Sequence, residues 1–141
     1  MTLPRVGIMC INYKDYATRF LPDCIASLRR TDYPKDCFTV YIVDNATTPE
    51  TVATIRSIAP EAVVIPHAQN AGWGGANNIG AQRAFVDGCD DVVFLNMDTI
   101  VEPGWLRALV DVAATDPRIA IVQSKLLLHP VGTDGITRVN S

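Results

Sequence analysis

No apolar run in this chain approaches the roughly 20 residues that a helix needs to cross a bilayer. That excludes an integral membrane protein and leaves peripheral membrane contact through surface residues open. The charges form no block of one sign, and 12 basic against 15 acidic residues give a net charge of -3. A nucleic-acid groove or polybasic membrane contact is therefore not expected, and an anionic ligand needs a local site. Cysteine pairs of the CxxC kind are also missing: Cys10, Cys24, Cys37 and Cys89 stand apart, and no secretory apolar segment follows Met1. The even count allows a disulfide framework, but four free thiols, several buried, in a reducing cytoplasmic compartment are the better expectation. What is present is globular. The 48% hydrophobic and 19% charged residues exclude disorder. A length of 141 residues suits one domain, residues 1–141, with a core of its own.

Short, mostly β-branched apolar runs at Val6 to Ile11, Val40 to Val43, Ala62 to Ile65, Val92 to Leu95 and Ile119 to Val122 predict five strands. Runs apolar on both faces suit parallel strands covered by helices on both sides. Between them, Leu21, Cys24, Ile25 and Leu28, and later Leu106, Leu109, Val110 and Ala113, fall at i, i+3, i+4 and i+7 and predict helices. Val52, Ile55 and Ala59 follow Thr48-Pro49-Glu50, where Thr48 suits an N-cap and Pro49 the first helical position. Pro103 opens the later helix similarly. Between Gly74 and Asp87, the small residues Ala76, Gly80 and Ala84 let a helix lie close to a sheet before Gly88 ends it. The pattern βαβαβαβαβ predicts an α/β fold with an open, mostly parallel sheet, and ligands then bind at the carboxyl ends of the strands.

That edge collects Asn12-Tyr13-Lys14-Asp15, Asp44-Asn45, the stretch His67 to Gly75, and Asn96-Met97-Asp98-Thr99. Turns favour Asn, Asp and Gly, so any one cluster alone is more often a loop than a site. Four on one edge are less easily dismissed. Asp98, just past a buried strand, suits a hard divalent cation whose other positions are water and phosphate oxygens; the alternative is a cap for the helix near Pro103. Asp44 can accept from a base N–H or a ribose hydroxyl, or form an Asx-turn leading into the Thr48 cap. The glycine-rich stretch Asn70 to Gly80 enters a helix, and its N–H groups attract phosphate. It follows the third strand, not the first, which disfavours a nicotinamide dehydrogenase.

Four motifs together resemble the family 2 glycosyltransferases, and within them the rhamnosyltransferase-like members. They are Ile11-Asn12-Tyr13-Lys14, Val43-Asp44-Asn45-Ala46-Thr47, Asn70-Ala71-Gly72-Trp73-Gly74-Gly75-Ala76-Asn77-Asn78-Ile79-Gly80, and Phe94-Leu95-Asn96-Met97-Asp98-Thr99 leading to Pro103-Gly104-Trp105-Leu106. The resemblance runs from about Val6 to Leu128 and implies a GT-A fold with a nucleotide-diphospho-sugar donor, UDP- or dTDP-linked. It implies that Asn12 and Tyr13 line the base and ribose pocket, that Asp44 with Asn45 contacts the base, and that Asn70, Gly72, Gly74 and Gly75 border the nucleotide with Asn77 and Asn78 nearby. Asp98 looks like the last carboxylate of the metal-binding DxD motif, whose first position here is Asn96, and Mg²⁺ or Mn²⁺ is the implied cofactor.

The implied reaction is inverting, metal-dependent transfer to a saccharide or lipid-linked acceptor of the cell envelope, at the inner face of the membrane. Family relatives are about twice as long or more. The resemblance therefore implies a domain truncated at its C-terminus, with the general base beyond residue 141 and most of the acceptor pocket absent. Asp134 does not match the base motif, and His129 and His67 read as surface residues. Trp73 suits stacking on a sugar or base, and Trp105 suits core packing. The competing reading is a non-catalytic glycosyltransferase-like module, in which a homodimer covers an open edge. A sugar nucleotidyltransferase ranks last, because Asn12-Tyr13-Lys14-Asp15 is not a glycine- and arginine-rich loop.

Overall fold

The computed structural model describes residues 2–128 together with residues 138 and 139. Strands β1 (Val6–Tyr13), β2 (Phe38–Asn45), β3 (Val63–His67) and β4 (Asp91–Phe94) alternate with helices α1 (Tyr16–Arg29), α2 (Pro49–Ile58), α3 (Gly72–Val86) and α4 (Trp105–Ala113). The four strands form an open, all-parallel sheet in the order β3-β2-β1-β4. Register runs from Val6↔Phe38 to Tyr13↔Asn45 between β1 and β2, and from Val6↔Asp91 to Met9↔Phe94 between β1 and β4. The chain moves outward through β2 and β3 on one side of β1 and then crosses to β4 on the other. The switch point, where such sheets open a crevice, thus lies between the ends of β1 and β4.

The double-sided burial of β1 follows from helices on both faces. Ile8 and Cys10 point into a core shared with Leu21, Cys24, Ile25 and Leu28 of α1, Ile55 of α2 and Leu106 of α4. Met9 points the other way, to a smaller cluster with Tyr41, Ala84 of α3 and Cys89. The expected α1 stripe is buried in full. Thr48 caps α2, its side chain accepting from Thr51 N–H, and the Thr51 side chain accepts in return from the Thr48 backbone. Helix α3 begins two residues earlier than expected, at Gly72 with φ of 70°, and Gly88 with φ of 88° follows its end. The four cysteines are free, and Cys10, Cys24 and Cys89 are buried.

The expected fifth strand at Ile119 to Val122 is corrected. That segment is irregular, Ile121 is 89% exposed, and it finds no ladder partner among the described residues. Apolar side chains alone do not make a strand when the backbone N–H and C=O groups have no neighbouring strand to pair with. Instead, two-residue strands β5 (Leu127–Leu128) and β6 (Arg138–Val139) pair antiparallel. His129 and Asp134 lie outside the described residues. Among the described residues no helix is long and apolar enough to cross a membrane.

Candidate functional site

A cleft of about 690 Å³ opens at the carboxyl edge of the sheet. One wall is aromatic. Tyr13 at the end of β1 meets Tyr16 edge-on at 6.4 Å, Tyr16 meets Phe20 at 5.8 Å, and the Arg19 guanidinium lies 4.7 Å over the Phe20 ring. Tyr16, Arg19 and Phe20 are i, i+3 and i+4 on α1, along the flank of its core stripe, and Phe20 also packs partly against the core. Sequence reasoning missed them, although an aromatic pair beside the buried stripe was the available signal. Asn45, Asn70 and Gly72 line the cleft beyond β2, and Trp73 lines it from the first turn of α3.

The loop after β4 completes the cleft. Met97 is buried and packs into the larger core, which leaves Asn96 and Asp98 on either side of it exposed and lining the cleft. Its position comes from α1: the buried Ser27 hydroxyl accepts from Val101 N–H at 3.1 Å. Behind this loop the Cys24 thiol is held below its ordinary value, chiefly by its contact with Cys10, with burial and then the negative charge of Asp98 opposing; the same contact and burial raise Cys10.

Not every expected residue faces the cleft. Asn12 is buried: its Oδ1 accepts from Ala17 N–H in the first turn of α1, and its Nδ2 donates to Asp44 Oδ1 at 2.7 Å. The other Asp44 oxygen accepts from the hydroxyls of Thr47 and Thr51. Both side chains thus stand behind the cleft wall, tying the starts of α1 and α2 to β1 and β2, while their neighbours Tyr13 and Asn45 open into it. Asn77 is buried and donates to the Trp73 carbonyl at 3.1 Å. Gly74, Gly75 and Asn78 continue α3 away from the cleft lining. Trp105 is partly buried against the core and donates to Thr31 Oγ1 at 3.0 Å.

Polar groups at the cleft floor interlock. Asn45 Nδ2 donates to Asn70 Oδ1 at 2.7 Å, and Asn45 Oδ1 accepts from Ala71 N–H at 2.9 Å. Asn70 Oδ1 also accepts from Gly72 N–H at 2.9 Å, and the Trp73 indole donates to Asn96 Oδ1 at 3.1 Å. Lys14 and Ala46, just past β1 and β2, hold left-handed φ of 55° and 65°. Such backbone is strained for residues with a Cβ, and here it turns the chain directly after the cleft-lining Tyr13 and Asn45.

The sequence model of glycosyl transferase family 2 matches residues 6–128. The chain belongs to that family. Its parallel sheet with helices on both faces is the GT-A, Rossmann-like fold. The solved mannosyltransferase PcManGT from Pyrobaculum calidifontis, in complex with GDP-Man and Mn²⁺, is similar at a TM-score of 0.67 and 22% identity, over 84% of this chain and 34% of that one. TarS of S. aureus in complex with UDP is similar at 0.61 and 21% identity, over 78% of this chain and 31% of that one. The same protein in complex with UDP-GlcNAc gives 0.60 and 21%, over 78% and 30%. This family 2 chain thus spans about a third of the length of these structures. Among curated protein sequences, none matches it.

Proposed function

We propose that the chain is the donor-binding portion of a glycosyltransferase and takes a nucleoside-diphospho-sugar in the cleft between β1 and β4. The observation that carries this reading is the joining of Tyr13, Asn45, Asn70, Gly72, Asn96 and Asp98 around one cleft in a family 2 chain. The base and ribose lie against Tyr13 and Asn45, and the diphosphate lies toward Gly72 and the loop of Asn96 and Asp98. Asp44 and Asn12 hold that wall in shape. Gly74, Gly75, Asn77 and Asn78 build the helix behind it.

Among the described residues no group of three His, Cys, Asp or Glu could hold a metal ion by itself. Mg²⁺ and Mn²⁺ commonly take one or two carboxylates and complete their shell with phosphate oxygens and water. The exposed Asp98 fits that mode, a cation arriving with the diphosphate. When bound there, a divalent cation supplies positive charge to the departing nucleoside diphosphate. UDP, dTDP and GDP sugars all remain candidate donors, dTDP-rhamnose among them, and the acceptor is a saccharide or lipid-linked saccharide of the cell envelope, met on the cytoplasmic side of the membrane.

Thermal-shift titration with UDP, dTDP, GDP and their sugars, with and without Mn²⁺, tests the reading on wild type and Asp98→Ala. One nucleotide should raise the melting temperature by mass action, more with Mn²⁺, and the metal-dependent part should vanish in Asp98→Ala. The variant alone should melt as wild type does, because Asp98 is exposed. No shift with any nucleotide would favour the second reading, a non-catalytic module. The observation on its side is the edge strand β4, whose Phe94 is 47% exposed, a surface that a homodimer would cover.

A further inference from the structure

Among the described residues the only charged side chains lining the cleft are Arg19 and Asp98, so a diphosphate there depends heavily on neutral donors. An indole N–H donates and never accepts, so the atom of Asn96 that meets Trp73 Nε1 at 3.1 Å is the amide oxygen. That oxygen is the one atom of the side chain able to ligate a cation. The indole engages one of its two lone pairs and holds the oxygen toward Trp73, so the NH₂, which has no acceptor among the described residues, is the end turned away from the indole and left for a ligand. Asn70 repeats the arrangement: its oxygen accepts from Asn45 Nδ2 and Gly72 N–H, both obligate donors, and its NH₂ has no acceptor among the described residues.

Resting on the donor-site reading, we propose that Trp73 is a positioning residue that makes position 96 a hydrogen-bond donor toward the diphosphate instead of a cation ligand. Trp73 is placed for this by an edge-on contact with Phe94 at 6.5 Å, and the residue is 59% exposed, so it spans from α3 to the loop after β4 without being part of the core. The metal's only side-chain ligand from this loop is then Asp98. Part of the diphosphate binding should survive without metal, because amide donors act on phosphate oxygens directly.

Calorimetric titration of UDP, dTDP, GDP and their parent nucleosides, in EDTA and in Mn²⁺, tests this on wild type, Asn96→Ala, Asn96→Asp and Trp73→Phe. All three variants change exposed side chains, and the phenyl ring keeps the contact with Phe94. In EDTA, Asn96→Ala should bind the diphosphate about tenfold more weakly and Trp73→Phe about threefold, the scale of a hydrogen bond to a charged group lost or left unaligned. Nucleoside binding should not change. Asn96→Asp should lose metal-free binding and regain it with Mn²⁺, and by electron paramagnetic resonance the free protein should bind Mn²⁺ more tightly than wild type. In the ¹H–¹⁵N spectrum, Asn96→Ala should move the Trp73 indole resonance and leave that of Trp105 in place. The proposal is overturned if Asn96→Ala matches wild type in EDTA yet loses Mn²⁺-dependent binding, which would make Asn96 a metal ligand. It is also overturned if Trp73→Phe matches wild type throughout. Failure of wild type to bind any diphosphate overturns the donor-site reading itself, a result distinct from both.

Discussion

Asn12 Nδ2 donates to Asp44 Oδ1 at 2.7 Å across β1 and β2, with both side chains closed off from solvent. The Asp44 carboxylate has further donors in Thr47 and Thr51, the latter in the first turn of α2, where the positive end of the helix favours an anion. Replacing Asp44 by Ala leaves an amide and two hydroxyls without their acceptor. The expected cost is about 3 kcal/mol of stability in urea unfolding, the scale for breaking a buried, charge-assisted network. Asp44→Ala of wild-type stability that has lost only nucleotide binding would place the carboxylate in the cleft instead.

The four motifs were legible in the sequence because strand ends in a parallel α/β sheet share an edge, and Tyr13, Asn45, Asn70, Gly72, Asn96 and Asp98 do line one cleft. Which member of each pair faces it was not. Strand residues alternate sides, so Asn12 and Asp44 turn inward where Tyr13 and Asn45 turn out, and a sequence does not say where the last pleat falls. The aromatic wall of Tyr16 and Phe20 was hidden for another reason: helical periodicity finds the buried stripe and does not say that the residues along its flank open into a cleft. Ile119 to Val122 has strand composition without a strand neighbour, and pairing is a property of the whole sheet.

Close approach of α3 to the sheet rests on two glycines, of which only Gly80 was signalled by its neighbours Ala76 and Ala84. A Cβ on Gly80 would meet the Met9 sulfur at 2.7 Å and Val43 Cγ2 at 3.1 Å, both side-chain atoms, the closer one on an unbranched chain that can turn about several bonds. A Cβ on Gly7 would meet the Cβ of Ala84 at 2.7 Å, which moves only with the α3 backbone. Gly7→Ala should therefore be the costlier change, about 3 kcal/mol against about 1 kcal/mol for Gly80→Ala, the range for overpacking a core. Denaturant midpoints of the two variants settle the order. Equal midpoints would mean that α3 shifts as a unit more easily than this packing implies.

Arg29, the last residue of α1, reaches the turn before β3, donating to Glu61 through Nε at 2.6 Å and to the Ile58 carbonyl through Nη2 at 3.0 Å. Its hydrogen bond holds the Glu61 carboxyl below the usual carboxylate range. A carboxylate depressed on folding adds stability above its unfolded value, about 4.3 for Glu, and loses it as the pH falls through the lower folded value. Both side chains are about half exposed, at 50% and 44%, so solvent screens the pair. Its worth should stay below about 1 kcal/mol. Glu61→Gln should thus be less stable than wild type near neutrality, and the gap should close in acid and in high salt. Urea unfolding of both proteins at about pH 6 and about pH 3 reads the gap directly. A gap that keeps its size in acid would show that Glu61 acts through packing and its neutral hydrogen bonds, with the charge of Arg29 contributing nothing.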